Sequence, residues 1–275
     1  MEDLKHLADI ASPLAVLAGN EIMAVRAGGF AVDTKGDGSP VTVADQRAEH
    51  LILQGLQDAH ITIPVIAEEQ MSNGIVPDIS CSTFLCIDPL DGTKEFTKGG
   101  EDFTVNIALV KDKAPVLGII YIPATRVLYV GFQSDSDGTK TASTVYSVSI
   151  GEDGTEGVRT PISCRAITSP PAIVASRSHM NEETERFLKQ YPDSKTVNVG
   201  SSLKFCRIAE GNADLYPRFS PTMEWDTAAG DAILRAAGGM TFGIDGQPFG
   251  YQKPEFRNGH FMATGTATAD PNLWG

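Results

Sequence analysis

Acidic side chains occur in three short motifs, each at a point where a predicted element ends or begins. Glu68 and Glu69 follow the apolar run ITIPVIA, the segment DPLDGT (residues 88–93) follows the run FLCI, and Asp226 follows Trp225 at the start of a helical segment. In layered α/β proteins, residues just past strand ends line a common cleft. The three motifs are therefore predicted to share one cleft.

The residue types in these motifs are typical of a magnesium site that handles phosphate. Mg²⁺ prefers hard oxygen ligands, usually a few carboxylates together with water and substrate phosphate. A proline-containing turn separates Asp88 from Asp91, and such a turn can direct both carboxylates and the Leu90 carbonyl to one point. Gly92 permits close backbone approach, so that its amide and that of Thr93 can meet a phosphate oxygen.

Each motif by itself also has a structural explanation. DPLDG is a common turn sequence, and taken singly the turn is the favoured explanation. A glutamate pair is most often solvated surface, and Asp226 can serve as a helix cap. Thr42 and Asp45 have the spacing of a capping box, a role that is compatible with a catalytic one. The case for a site therefore depends on the combination of motifs.

Composition limits the kind of substrate that we expect. The chain has 275 residues, 41% of them hydrophobic, which suits one large domain or two smaller lobes. Its net charge of −13 argues against nucleic-acid polymers, whose binding usually needs a basic stripe. Carboxylates that hold Mg²⁺ would reconcile this charge with a phosphorylated substrate, although solubility alone also explains a surplus of acid.

The cysteines and the N-terminus predict a cytoplasmic location. The four cysteines form no CxxC pair and have no zinc-site spacing to histidine: Cys81, Cys86, Cys164 and Cys206. Reduced thiols are therefore expected. Acidic and polar residues interrupt the apolar stretch near the N-terminus, so we predict neither a secretory signal nor a membrane-spanning segment. The sequence shows no membrane anchor, and peripheral association with the inner membrane stays an open alternative.

Periodicity places these motifs on specific elements. A helix is predicted from Ser12, with Pro13 as its first residue, to Gly28; the alternative is a longer helix from near Asp3, kinked at Pro13. A second helix is predicted over 43–59. The runs FTVNIALV, PVLGIIYI and RVLYVGF are separated by short turns, which predicts an antiparallel meander.

The pattern changes after about residue 160. Strands and helices then alternate, with the helices predicted in NEETERFLKQY, SSLKFCRIAEG and WDTAAGDAILRAAGG. This alternation is typical of a layered α/β lobe. We therefore predict an α+β N-terminal lobe over 1–160 and an α/β C-terminal lobe over 161–275. The polar segment 133–142 is predicted to be a surface loop.

Together the motifs resemble the inositol monophosphatase superfamily of lithium-sensitive, Mg²⁺-dependent phosphatases. The resemblance rests on DPLDGT, on WDTAAG (residues 225–230), on the glutamate pair and on SPVTVAD around Asp45. Within the superfamily the chain is most similar to bacterial 3′(2′),5′-bisphosphate nucleotidases, through DPLDGTKEF, EDFTVNIALV, SRSH, GSSLKFC and AEGNADLYPRF. Lys94-Glu95 replaces the Thr-Asn that usually follows DGT in true inositol monophosphatases. The resemblance implies an α/β fold, a layered αβαβα sandwich.

The resemblance also implies specific residue roles. Two Mg²⁺ ions, with a third near Glu69 in some states, would be held by these groups, Asp88 bridging: Glu69, Asp88, the Leu90 carbonyl, Asp91 and Asp226. A metal-bound water would be oriented by Asp45, Glu69 and Thr93. Substrate contacts would come from the following set: Glu69, Leu90, Asp91, Gly92, Thr93, His179, Ser201, Lys204, Arg218 and Asp226. Lys204 and Arg218 would bind the 5′-phosphate; ordinary surface charge is the alternative for both, as is a structural role for His179.

The implied reaction is hydrolysis of adenosine 3′,5′-bisphosphate to AMP and phosphate, with the sulfated analogue 3′-phosphoadenylyl sulfate as a second substrate, in sulfur assimilation. The expected partner is thus a small molecule, and the expected assembly is a monomer or homodimer. One alternative is a related phosphatase acting on inositol phosphates or fructose bisphosphate. A second is a catalytically inactive family member that binds or regulates, for which a missing metal carboxylate would be the signature; all four carboxylates are present.

Overall fold

A computed structural model describes residues 3–35, 40–134, 142–176 and 181–268. In chain order, helices α1 to α7 are Leu4–Gly28, Val43–Asp58, Glu68–Ser72, Thr93–Thr97, Glu182–Lys189, Leu203–Ala209 and Ala228–Ala236. Strands β1 to β8 are Val32–Thr34, Pro40–Thr42, Val65–Ala67, Thr83–Asp91, Thr104–Lys111, Ala114–Ile122, Val127–Ser134 and Ala142–Ser149. Strands β9 to β16 are Thr160–Pro161, Ala172–Ser176, Lys195–Val199, Leu215–Arg218, Thr222–Met223, Met240–Gly243, Arg257–Asn258 and Phe261–Thr264.

The larger sheet contains seven strands in the order β3-β4-β5-β6-β7-β8-β9. The pair β3–β4 is parallel, and every other neighbouring pair is antiparallel. Strands β5 to β7 form the predicted meander, which is confirmed, and β8 continues it. Both faces of this sheet are covered: on β5, Val105 and Ile107 point into one core and Ala108 and Val110 into the other. This explains why these strands are apolar without strict alternation.

Helices α1 and α2 cover one face of the larger sheet. The prediction that α1 starts at Ser12 is wrong, and the alternative of a longer helix is confirmed. The Asp3 side chain caps the helix by accepting a hydrogen bond of 3.1 Å from the His6 amide, and Pro13 lies inside it. The apolar face continues from Leu7 to Val25, so that packing against the sheet offsets the interruption at proline.

Helix α1 is also longer and more apolar than the sequence analysis expected. It has 25 residues and meets the length and composition of a membrane-spanning segment, as the single such helix among the described residues. It is nevertheless a core helix, because Ala11, Ala15, Ala18 and Ile22 are completely buried against the sheet and α2. Apolar length alone therefore does not indicate a membrane span here.

The other face of the larger sheet packs against α6 and α7, which also contact the second sheet. That sheet has the order β11-β10-β12-β16-β14, and α5 covers its far face through Phe187. The layers therefore run α, β, α, β, α, and the predicted αβαβα sandwich is confirmed. Helix α7 approaches the larger sheet very closely at Gly118, where a Cβ atom would lie 2.1 Å from the Ala229 carbonyl oxygen.

Two predictions on chain organisation stay untested in whole or in part. The division after residue 160 falls inside β9, which pairs with β8 of the larger sheet, and the two-lobe division stays a prediction. The predicted loop over 133–142 is wrong at its ends, because Gln133 and Ser134 continue β7 and Ala142 starts β8; residues 135–141 lie outside the described residues, and a loop there stays a prediction.

Candidate active site

The parallel pair β3–β4 brings the first two acidic motifs together. Ala67 pairs with Ile87, so that Glu68 and Asp88 follow side by side at the same edge of the sheet. Asp226 reaches this edge from the segment before α7, with its Oδ2 atom accepting a hydrogen bond of 2.8 Å from the Met223 amide. This bond does not cap α7, so the simple capping explanation for Asp226 is not supported.

The DPLDGT turn is held by its own hydrogen bonds. Asp88 Oδ1 accepts a bond of 2.9 Å from the Leu90 amide, and the pairing of β4 with β5 shifts between Asp88 and Asp91. Gly92 has a φ of 93°, and a Cβ atom there would lie 2.8 Å from the Asp102 carbonyl oxygen. A side chain would therefore both strain the turn and clash with its neighbour.

Asp45 has the two roles that the sequence analysis allowed. Its Oδ2 atom accepts bonds from the Thr42 amide at 2.7 Å and the Thr42 hydroxyl at 2.8 Å, which completes the capping box of α2. Its Oδ1 atom lies 3.1 Å from the Thr93 hydroxyl, which also lies 3.1 Å from the Leu90 carbonyl oxygen. The capping bond thus orients Asp45 toward the DPLDGT turn.

Asp88 is buried and Asp91 and Asp226 are half-buried near it, which disfavours the ionised forms of all three. Burial and then Glu68 raise the pKa of Asp88 well above its usual value. Burial also raises the pKa of Asp91, and burial and then Asp91 raise the pKa of Asp226 to about 8. Clustered carboxylates with raised pKa values are a typical setting for a divalent cation, which neutralises their charge.

The donor set fits Mg²⁺ by its chemistry, because it consists of carboxylates and a carbonyl group. Within the described ranges, no three acidic, histidine or cysteine side chains converge closely enough to form a metal-binding group. The hydrogen bonds described for Asp91 all end on Oδ2, from Ser201 Oγ at 2.7 Å, the Ser202 amide at 2.6 Å and Asn106 Nδ2 at 3.5 Å.

Glu68 and Glu69 have different surroundings. Glu68 lines the cavity together with Asp91 and Asp226, and its charge raises the pKa of Asp88. Glu69 is turned toward Lys35, which is 2.6 Å from its Oε1 atom and also bonds Glu68 at 2.7 Å. Burial raises the pKa of Glu69 to about 7. Burial opposes the charge on Lys35, but the two glutamates raise its pKa above the usual value. The structure thus brings Glu68, rather than Glu69, to the aspartates.

Glu49 lies on α2 and is buried, and it is a part of the site that was not predicted from the sequence. Its carboxylate accepts hydrogen bonds from the amides of Glu69 at 2.7 Å and Gln70 at 2.9 Å. Helix α3 has no side-chain cap of its own, because Ala67 stands at its N-cap position. Glu49 therefore supplies the cap from another helix, and no short-range sequence signal could have revealed this.

Two buried cations line the same cavity as the acidic cluster. The cavity has a volume of about 570 Å³, and its walls include Asp91, Thr93, Asp226, Lys204 and Arg218. Lys204 is 4% exposed and Arg218 8%, so the surface-charge explanation for both is wrong. Neither forms an ion pair with any carboxylate in the described part of the chain. Burial lowers the pKa of Lys204 to about 8, and its Nζ atom donates to the Ser201 carbonyl at 2.7 Å.

The remaining predicted substrate contacts are placed only in part. Gly92, Thr93 and Ser201 line the cavity, although the Ser201 hydroxyl is directed at Asp91. Leu90 is buried in the turn. His179, in the SRSH segment, lies outside the described residues. The substrate roles of these residues therefore stay predictions.

Comparison with known proteins agrees with this fold. The family model described as "Inositol monophosphatase family" matches residues 3–270, and the chain belongs to this family. Within the family, the chain is 41% identical over 244 residues to the 3′(2′),5′-bisphosphate nucleotidase CysQ of Escherichia coli O157:H7, which spans 88% of this chain and 92% of that protein. It is also 41% identical over 254 residues to CysQ of Salmonella typhimurium, covering 91% of this chain and 96% of the relative.

A solved structure is similar over the same length. The crystal structure of CysQ from Bacteroides thetaiotaomicron, a bacterial member of the inositol monophosphatase family, matches with a TM-score of 0.71 and 36% identity. The match covers 94% of this chain and 97% of that one. Sequence and structure therefore lead to the same family.

Proposed function

We propose that this chain is a Mg²⁺-dependent 3′(2′),5′-bisphosphate nucleotidase, which hydrolyses adenosine 3′,5′-bisphosphate to AMP and phosphate. The observation that carries the proposal is one cavity with an acidic cluster in one part of its wall and, in another, two buried cations without a described ion-pair partner. A bisphosphate offers one anion to each part. The names of the relatives support the same substrate class, and 3′-phosphoadenylyl sulfate is the proposed second substrate.

In this proposal Mg²⁺ is held by Glu68, Asp88, the Leu90 carbonyl, Asp91 and Asp226. The ligand proposed from the sequence was Glu69, and we replace it with Glu68 because that carboxylate faces the aspartates. Bound Mg²⁺ supplies Lewis acidity for an in-line displacement and charge compensation for the leaving oxygen. Two ions, with a third near Glu69, stay the proposed number.

Thr93 and Asp45 orient the attacking water in this scheme. The Thr93 hydroxyl donates to Asp45, so its oxygen presents a lone pair that accepts a proton of that water. The amides of Gly92 and Thr93 lie at the cavity wall and bind an oxygen of the reacting phosphate. Asp45 holds the threonine in this orientation because the capping box fixes its carboxylate.

Lys204 and Arg218 bind the second phosphate of the substrate, the 5′-phosphate. Charge-assisted bonds to phosphate are the strongest available to these side chains, since no described carboxylate competes for them as an ion-pair partner. Such a subsite separates a bisphosphate nucleotide from a monophosphate such as inositol 1-phosphate.

The test is phosphate release from adenosine 3′,5′-bisphosphate and from inositol 1-phosphate, side by side, first with Mg²⁺ and then with EDTA. We expect strong preference for the nucleotide and loss of release in EDTA. Preference for the inositol ester would keep the metal site and overturn the role of Lys204 and Arg218. No release from either substrate would favour a binding or regulatory protein.

A further inference from the structure

A buried group of hydroxyls links strand β5 to the turn before α6. Thr104 and Asn106 of β5 are completely buried, and Ser202 is almost so. Thr104 Oγ1 lies 2.6 Å from Ser201 Oγ and 2.8 Å from Ser202 Oγ. Asn106 Oδ1 lies 2.8 Å from Ser202 Oγ and 3.0 Å from Thr104 Oγ1. The three contacts between β5 and the turn join residues that are 96 to 98 positions apart in the chain.

Each hydroxyl has a single proton to donate, and this fixes the donor-to-acceptor direction of the hydrogen bonds in the group. Ser201 donates its single hydroxyl proton to the Asp91 carboxylate, which only accepts. The 2.6 Å contact between Thr104 and Ser201 then requires the Thr104 proton to point at Ser201. Ser202 consequently donates one proton that Asn106 Oδ1 and Thr104 Oγ1 share, and the 3.0 Å contact between Thr104 and Asn106 is left without a proton of its own. The chain of donors from Ser202 through Thr104 and Ser201 therefore ends on Asp91, an arrangement in which each hydrogen bond strengthens the next.

Ser201 connects this group to both charged parts of the cavity. Its φ of 52° lies in the left-handed region, which serine seldom adopts unless its surroundings hold it there. In this conformation its hydroxyl donates to Asp91, while its carbonyl accepts from Lys204 Nζ at 2.7 Å. One residue thus touches a proposed metal ligand and a proposed phosphate-binding cation.

We propose that Thr104 is a positioning residue, whose hydroxyl holds Ser201 in the conformation that orients Asp91 and Lys204 together. Thr104 is not among the residues that line the cavity, and it acts through Ser201. The inference rests on the proposed function and deepens it, because metal binding at Asp91 and anion binding at Lys204 then depend on one shared contact. Loss of the Thr104 hydroxyl weakens both.

The test compares Thr104→Val, which keeps the side-chain shape but removes the hydroxyl, with Thr104→Ser, which keeps the hydroxyl. Affinity for Mn²⁺ is measured by electron paramagnetic resonance, and affinity for AMP by calorimetry in EDTA. We expect Thr104→Val to weaken each by about tenfold, in line with losing one hydrogen bond next to a charged group. Thr104→Ser should restore both to within about twofold.

Thr241→Val is the matched control, because Thr241 is a completely buried threonine on β14 whose hydroxyl has no described partner. It should leave both affinities unchanged. If Thr104→Val does not fold, as judged by circular dichroism, Ser202→Ala replaces it. This change removes the Ser202 hydroxyl, which contacts Asn106 and Thr104, but keeps the hydrogen bond from the Ser202 backbone amide to Asp91. The same two affinities should then fall.

Wild-type affinities for both ligands in folded Thr104→Val, or loss of only one of them, would overturn the proposed coupling. Failure of the proposed function gives a different result. If the wild-type chain binds Mn²⁺ but not AMP, the nucleotide assignment and the coupling both fail, and the Mn²⁺ series alone decides whether Thr104 positions Asp91.

Discussion

At the scale of single residues, the site is defined by charged side chains that lie next to like charges or have no oppositely charged partner. Asp88 is buried and Asp91 and Asp226 are half-buried, while Lys204 and Arg218 are buried on the cavity that Asp91 and Asp226 line and have no described ion-pair partner. Burial without a partner costs free energy, which a ligand of opposite charge recovers on binding. We therefore expect ligand affinity to depend most on the charged side chains that have no oppositely charged partner in the protein.

The glutamate pair offers a direct test of ligand assignment. Glu68→Gln should weaken Mg²⁺ binding by about 100-fold or more, and Glu69→Gln by about tenfold or less, since loss of a ligand exceeds loss of a supporting contact. The two variants remove the same charge from adjacent residues and thus serve as controls for each other. Titration calorimetry with Mg²⁺ measures both. The reverse order would restore Glu69 as the ligand.

Lys204→Met should raise KM for adenosine 3′,5′-bisphosphate by about 10- to 100-fold, because it removes a charge-assisted bond to the second phosphate. Methionine keeps the apolar stem, so that packing near Tyr216 is retained. The KM for inositol 1-phosphate should change less than about twofold. Lys111→Ala, at an exposed position at the end of β5, is the control. An equal rise for both substrates would remove Lys204 from the nucleotide site.

The pKa of Lys204 predicts a pH dependence of substrate binding. Burial lowers this pKa to about 8, so the amine is charged below that pH and neutral above it. The KM for the bisphosphate should therefore rise between about pH 7 and pH 9, where the substrate phosphates no longer change charge. Steady-state kinetics across this range measure the effect. Lys204→Arg, which stays charged, should flatten the profile; a profile unchanged by this substitution would contradict the assignment.

At the scale of elements, the site is assembled where short elements end. Strands β3 and β4 finish at one edge, and the five-residue helix α3 starts there with Glu68 and Glu69. A helix this short is not stable by itself and depends on contacts from other elements. Glu49 on α2 provides two of those contacts.

Glu49→Ala should lower the free energy of unfolding by about 1 to 2 kcal/mol, because it leaves two helix-start amides without their acceptor. Glu49→Gln keeps one acceptor oxygen and should lose about half as much. Urea unfolding followed by circular dichroism measures both. Glu185→Ala, at an exposed position of α5, is the control and should change stability little. A loss no larger than that of the control would show that the cap adds nothing.

At the scale of the whole molecule, the αβαβα layers place the acidic cluster where the larger sheet meets the segment before α7.

The pKa values of these carboxylates are higher in the folded protein than in the unfolded chain, so that their ionisation destabilises the folded state. Their contribution to stability is present below the unfolded pKa of about 4 and is lost as pH rises through the folded values, about 7 for Glu69 and about 8 for Asp226.

Metal-free protein should therefore lose thermal stability between about pH 4 and pH 8, and Mg²⁺ should restore more of it at pH 8 than at pH 5. At a Mg²⁺ concentration about 100 times Kd, linkage predicts a rise in Tm of roughly 5 °C. Differential scanning calorimetry with MgCl₂, with EDTA and with NaCl of equal ionic strength provides the measurement. A larger effect at pH 5, or an equal effect of NaCl, would argue against a metal at this cluster.

Features set by neighbouring residues could be predicted from the sequence. The Thr42–Asp45 capping box and the meander β5–β7 follow from short sequence patterns, and both predictions were confirmed. The start of the N-terminal helix could not be predicted from neighbouring residues, because Ser12-Pro13 has the local pattern of a helix start. The contacts of the preceding turns with the sheet decided in favour of a start at Leu4.

The tertiary structure alone decided how the charged groups are arranged. Sequence spacing could not distinguish Glu68 from Glu69, since this depends on the register of β3 with β4. Nor could it show that Lys204 is buried or that Thr104 contacts Ser201 across 97 positions of the chain. The sequence by itself determined which acids and cations are present and which turns carry them. Their burial, pairing and pKa values follow from packing between distant segments, which no local pattern encodes.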